Sequence, residues 1–457
     1  MIDLLLIWFG LLVALLVLAI GPPGRGGALT LAYFLGLSLI HVPGVLPYLS
    51  EAWGSAGVED TRLGFQMTVV GMAAFVAGAA AAGARRRRRV GRGSRSPSGA
   101  DGFERLGWRA LAIGGGAYLV LLPLSGLLPS STPIASALAT LLILGFWLIL
   151  YAGALAGDQR RKLLTLALLP LLPLTTLVSG GFLGYGVYWV LSTLTFFYVV
   201  TRQRLWIYLA APPVVFLGLS LFVTYMGQRS AIREVVWHEN SGILDRLERV
   251  SRIVTDFELL DLSSPAHLAA IDGRLNQNSL VGVAIARHEA GIYDFAYGGT
   301  VPYWVLIPRA IWPDKPAVGG GGSLVGTYTG ITFASGTSVG AGQVLEFYVN
   351  LGMTGVLIGF FGLGFLLMRL DHGVMRALAD GDVRGLLLRA MPGLTLLQPG
   401  GNLLEIIVAF VGAIAGAQAL LYLGVFGNRL STQSAAPIGR PVTPPRIGRI
   451  EGQLRQP

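Results

Sequence analysis

Residues 341–368 read AGQVLEFYVNLGMTGVLIGFFGLGFLLM, a run with one charged side chain, Glu346. About 20 predominantly apolar residues are needed for a helix to cross a hydrocarbon core about 30 Å thick, so this stretch reads as a membrane span. Working outward, the same test finds runs at 3–21, 27–45, 63–84, 110–128, 135–156, 163–179, 182–200, 205–226, 385–398 and 403–424. The expectation is an all-α, polytopic transmembrane helix bundle of about eleven spans. The weakest is 385–398, which is short and interrupted by Arg389 and Pro392, and a re-entrant hairpin is its alternative.

Composition agrees with the spans. The chain has 457 residues, 53% hydrophobic and 13% charged, with 64 Gly and no Cys. An average soluble domain carries about 25% charged residues, so a water-soluble globule is excluded. Without Cys there is neither a disulfide framework nor a thiolate metal site. The net charge of +10 sits in short clusters between apolar runs, a pattern of membrane topology rather than of nucleic-acid binding. No basic residue precedes the first apolar run and no small-residue cleavage site follows it, so a cleavable signal peptide is not expected.

Positive charge marks cytoplasmic loops. Arg85–Arg89 with Arg92 and Arg95, Arg160–Lys162, Arg202 with Arg204, and Arg369 with Arg376 and Arg384 fall in alternate loops. That register places 24 of the 34 Lys and Arg inside, the N-terminus outside and the C-terminus inside. The chain then divides into spans one to eight (1–226), a large external loop (227–340), spans nine to eleven (341–427) and a disordered basic tail (428–457). Disorder is also expected for RGSRSPSGADG at 92–102. The hydropathy pattern shows no internal duplication of the kind that points to a secondary transporter.

Chemistry-capable side chains gather in the external loop, which holds three of the five His and 11 of the 24 acids. Its first part, SGILDRLERVSRIVTDFELLDL, places Ile243, Leu247, Val250, Ile253, Phe257 and Leu260 at helical spacing, capped by Ser241 or Asn240. The second part is Gly-rich and irregular, and contains IPRAIWPDKP at 307–316. Its prolines disfavour continuous helix and hold Arg309 and Lys315 in a stiff loop. Tyr293, Phe295, Tyr297, Tyr303, Trp304 and Trp312 fit either an interfacial aromatic belt or stacking on sugar faces.

The Pro-Arg-x-x-Trp-Pro-x-Lys-Pro segment in a large external loop resembles bacterial O-antigen polymerases of the Wzy type, as do the upstream Arg274, Asn276 and Gln277 and the surrounding bundle. That resemblance implies a multi-pass protein of the bacterial inner membrane with a periplasmic N-terminus and a cytoplasmic C-terminus. The activity it implies is polymerisation of undecaprenyl-pyrophosphate-linked oligosaccharide repeat units into surface polysaccharide at the outer face. It implies no metal or other cofactor, and as partners the lipid-linked oligosaccharide, membrane lipids, a chain-length regulator and a flippase.

For such a substrate, charge develops on the departing pyrophosphate, and fixed cations stabilise it. Arg274, Arg309 and Lys315 are the candidates for that role, with Arg287, Asn276, Gln277, Trp304 and Trp312 as substrate contacts. A base must take the acceptor proton. Glu346, an ionisable residue inside a span, is the first candidate; His288 and Glu289 are the others, and Glu405 has a similar standing to Glu346. Spacing such as HExxH is absent, and no Gly-rich nucleotide loop is present. Two other readings remain open, an O-antigen ligase with the same donor and a flippase or transporter of lipid-linked glycans.

Overall fold

The computed structural model describes residues 1–19, 26–49, 53, 56–84, 99–124, 131–180, 183–201, 205–237, 242–307, 311–312, 314–315, 320–333 and 339–427. Arg309, Asn240, Ser241 and the basic tail lie outside the described residues. The described chain is helical: α1 (Ile2–Ala19), α2 (Ala28–His41), α3 (Val58–Ala84), α4 (Ala100–Gly116), α5 (Leu122–Leu124), α6 (Thr132–Ala139), α7 (Leu141–Ala156), α8 (Gln159–Ala167), α9 (Leu171–Gly180), α10 (Leu183–Val200), α11 (Leu205–Trp237), α12 (Ile243–Thr255), α13 (Pro265–Leu275), α14 (Gln277–Glu289), α15 (Gly321–Thr329), α16 (Gln343–Asp380), α17 (Val383–Thr395) and α18 (Leu403–Tyr422). A π-helical turn, Ala117–Leu121, joins α4 to α5. Among the described residues, ten helical stretches are long and apolar enough to cross a membrane. Ala100–Gly102, expected to be disordered, form the first turn of α4, where Asp101 complements the helix dipole.

The missing eleventh span is α17. Its 13 residues cover about 20 Å at 1.5 Å per residue, well short of the hydrocarbon core. Beyond it, residues 396–402 run without regular structure while still enclosed: Pro399 lies against Gly36 and Gly400 against Ile40, both within α2. Irregular backbone at that depth must be satisfied by protein. Pro399 O accepts from Gln343 N at 3.1 Å, and Gln398 O from Gln343 Nε2 at 3.4 Å. Arg389 turns back on its own helix, its Nη1 donating to Gly385 O at 2.7 Å.

The run 341–368 is also not one straight helix. Within α16, Leu351 (φ −145°, ψ 22°) and Gly352 (φ 62°, ψ −149°) break it. Only glycine adopts the second conformation without strain, and a β-carbon there would meet the Phe295 ring at 2.8 Å. The chain reverses sharply enough for the Phe347 ring to lie against Gly359. Residues 343–350 thus form a separate half-helix. Residues 353–380 remain long enough to span, at about 42 Å.

The segment 227–340 is not an independent body. Val281, Ala284 and Ile285 of α14 and Val325 of α15 belong to the same apolar core as α2, α3 and α16. Helix α14 docks on α3 through glycines, because a β-carbon on Gly64 would collide with Asn278 O and one on Gly282 with Asp60 O. Small residues at such contacts let backbones approach where lipid offers no hydrophobic drive. Helices α12 and α13 pack instead on α11, Val250 and Ile253 near Tyr225 and Ile232, and Ile271 and Leu275 near Leu219 and Val223. The amphipathic helix stops at Thr255, short of the expected Leu260. Beyond it the chain is extended along α11, with Glu258 N donating to Thr224 Oγ1 at 3.0 Å and Leu260 N to Ser220 Oγ at 2.9 Å. Two hydroxyls one turn apart on α11 thus replace the next helical hydrogen bonds.

Candidate functional site

Three helix ends meet inside the bundle: the N-terminus of the half-helix 343–350, the end of α17 and the start of α18. Glu346 lies among them, 1% exposed. Its Oε2 accepts from Leu403 N at 2.6 Å, so the carboxylate sits on the N-terminus of α18, where the helix dipole favours an anion. Its Oε1 has no hydrogen-bond partner, although the Thr300 hydroxyl lies beside the carboxyl. Neighbouring amides complete the junction. Asn402 Oδ1 accepts from Ala341 N at 3.0 Å and its Nδ2 donates to Glu405 Oε1 at 3.1 Å. Tyr33 Oη donates to Gln343 Oε1, and the Gln277 carboxamide lies against Gly342 and Gly400, its Oε1 unpartnered.

The outer face of the half-helix is closed by residues 296–298. Ala296 N donates to Val349 O at 2.8 Å and Tyr297 N to Asn350 O at 3.1 Å, satisfying carbonyls that the break leaves open. Tyr297 takes a positive φ of 47° to do so. Asn350 binds the cap from below, accepting from Gly298 N at 2.8 Å and donating to Thr300 Oγ1 at 2.8 Å.

A cluster of cations lies three residues before Gln277. Arg229 and Arg233, one turn apart on α11, share a field with Arg274 at the end of α13. Burial first, and then the Arg229 charge, hold the Arg274 guanidinium below its ordinary value, while Tyr225 opposes them. A guanidinium still remains a cation at neutral pH. Neither Arg229 nor Arg274 forms an ion pair with a described residue. Such like-charge crowding is costly. Below the cluster, residues 211–218 of α11, an apolar run with Pro212 and Pro213, are exposed on every side.

The other expected site residues lie elsewhere. Asn276 caps α14, accepting from Ser279 N, and binds Asp272 and Thr61, a structural role. Arg287 and His288 sit at the opposite end of α14 from Arg274. Ten residues of α14, about 15 Å of helix, lie between Arg287 and the turn that follows Arg274. The His288 Nδ1–H donates to Tyr293 O at 3.0 Å, since a carbonyl only accepts. The ring is held against Phe295, 3.9 Å between centroids. Glu289 is exposed and acts electrostatically on Tyr348.

Lys315 is committed to its own loop, its Nζ donating to Val305 O and Ile307 O, each at 2.9 Å. That use leaves one of three ammonium donors for an anion. Trp304 and Trp312 pack edge to face at 6.2 Å. His267 is fully used: Asp261 N donates to its Nδ1 and its Nε2 donates to Glu258 Oε2, both at 3.1 Å. Among the described residues no group of three or more His, Asp and Glu is placed to hold a metal ion.

Sequence reasoning missed Arg229 and Arg233. Their signal was available, because two arginines one turn apart directly beyond a span, on the side where the charge rule expects few, are an exception to that rule. It missed Gln343, Asn350 and Asn402 because polar amides in apolar runs look alike until the helix breaks are known. No family profile matches the chain, and no curated protein or solved structure matches it either.

Proposed function

We propose that the protein polymerises oligosaccharide repeat units carried on undecaprenyl pyrophosphate, working at the outer face of a bacterial inner membrane with its N-terminus periplasmic and its C-terminus cytoplasmic. The observation that carries this reading is the Arg229, Arg233 and Arg274 cluster, two of whose members follow an exposed apolar stretch on α11. A ligand that suits both has an anionic head and a long apolar tail. Guanidinium forks bind phosphate oxygens bidentately.

In the proposed reaction a hydroxyl of the acceptor sugar attacks the anomeric carbon of the donor unit. The new glycosidic C–O bond forms as the bond from that carbon to the pyrophosphate oxygen breaks. Undecaprenyl pyrophosphate leaves with the electron pair, and the acceptor proton passes to a base. The arginine cluster stabilises the charge on the leaving oxygen, which is where fixed cations act most strongly. Glu346 is the base on this reading: its Oε1 is unpartnered, and Gln277, three residues from Arg274, touches the start of its half-helix. His288, its Nδ1–H held by Tyr293 O, lies at the other end of α14 from Gln277.

Deletion in the native host, followed by a gel of surface polysaccharide, tests the reading. Single repeat units capped on the final acceptor are expected. Lipid-linked polymer would instead mark a lost ligase, and intermediates held at the cytoplasmic face a lost flippase.

A further inference from the structure

A cavity of about 500 Å³ opens along α15, lined by Gly322, Ser323, Gly326, Gly330, Thr332 and Phe333 among others. Its size is in the ordinary range for a small-ligand site, about 300–1,000 Å³. At its edge Gly330, with φ 73°, has no side chain, and the Arg287 guanidinium occupies the space one would fill, Nη1 2.7 Å from the ideal β-carbon position. Arg287 is anchored there by Nε, which donates to Tyr328 O at 3.1 Å at the C-terminal end of α15. Its two Nη groups have no hydrogen-bond partner among the described residues, and it forms no ion pair with them. The guanidinium is therefore oriented by one donor while the rest of its fork stays available at the rim of a cavity.

We propose that this cavity holds a saccharide bearing an anionic group, a carboxylate or a phosphate, which Arg287 engages with its Nη pair. Hydroxyls of Ser323 and Thr332 and the peptide edges left open by the glycines suit sugar hydroxyls, and the Phe333 ring suits an apolar sugar face. A planar fork matches either anion. The cavity shares no lining residue with the cluster of Arg229, Arg233 and Arg274, so what it holds is a saccharide unit and not the pyrophosphate. The inference deepens the proposed function and rests on it only for the identity of the glycan as the chain under construction.

Saccharide binding to the purified full-length protein, read by calorimetry with no lipid-linked donor present, tests it separately from polymerisation. The probes are tetragalacturonate, maltose 1-phosphate and neutral maltotetraose. At least one of the two anionic probes should bind about tenfold or more tightly than maltotetraose, and the two arms identify which anion is preferred. Arg287→Gln should abolish that preference, the loss of a charge-assisted pair. Ser323→Phe, at an exposed position on the lining, should block all binding without disturbing the fold. Equal affinity for neutral and anionic probes, or unchanged binding in both variants, overturns the proposal.

Discussion

Asn350 ties the half-helix to its cap, accepting from Gly298 N at 2.8 Å and donating to Thr300 Oγ1 at 2.8 Å, and it also donates to Glu346 O of its own helix at 2.6 Å. Leucine at this position matches its volume and removes every one of these bonds. Leaving a buried donor unsatisfied costs about 1–3 kcal/mol, so Asn350→Leu should lower the thermal unfolding midpoint of the detergent-solubilised protein by several degrees. An unchanged midpoint means that the cap over the half-helix contributes nothing. At this scale the sequence was an uneven guide. Glu346 stood out because a carboxylate inside an apolar run demands a partner, and the structure supplies one in the Leu403 amide rather than in an arginine. Lys315 stood out equally, yet its ammonium is folded onto the carbonyls of Val305 and Ile307, which a motif in one dimension does not reveal.

Elements were legible where their length and polarity decided them. Ten apolar stretches form helices of spanning length, as hydropathy requires. The break at Leu351–Gly352 was hidden because glycines recur throughout α16, and only the approach of Phe295 selects the one that turns. The docking of α14 was hidden for a related reason. Its amphipathic pattern is weak, since it packs by close backbone contact through Gly282 rather than by a stripe of large side chains. Gly282→Leu should therefore separate α14 from α3, because the colliding atom is a backbone carbonyl that has nowhere to go. Overpacking of this kind costs about 1–3 kcal/mol or more. Limited proteolysis should show faster cleavage within 277–307, while the α1–α11 region stays protected. Cleavage at the wild-type rate would contradict the docking.

Across the whole molecule, the arrangement separates two regions along α14. One end carries Gln277 beside the start of the half-helix that holds Glu346; the other carries Arg287 and His288, and Tyr348 of the same half-helix meets the His288 ring. Helix α11 is exposed over residues 211–218 and packs against α12 and α13 beyond them, so its arginines follow an exposed apolar surface. Reconstitution of the purified protein with an undecaprenyl-pyrophosphate-linked repeat unit, with products weighed by mass spectrometry, tests the central claim directly. The account predicts free undecaprenyl pyrophosphate together with lipid-linked dimers and longer oligomers of the unit, a rate reduced about 10²- to 10³-fold in Arg274→Ala, and no oligomer from Glu346→Gln. A donor recovered unchanged from the wild-type protein, or oligomers formed at the wild-type rate by both variants, would contradict it.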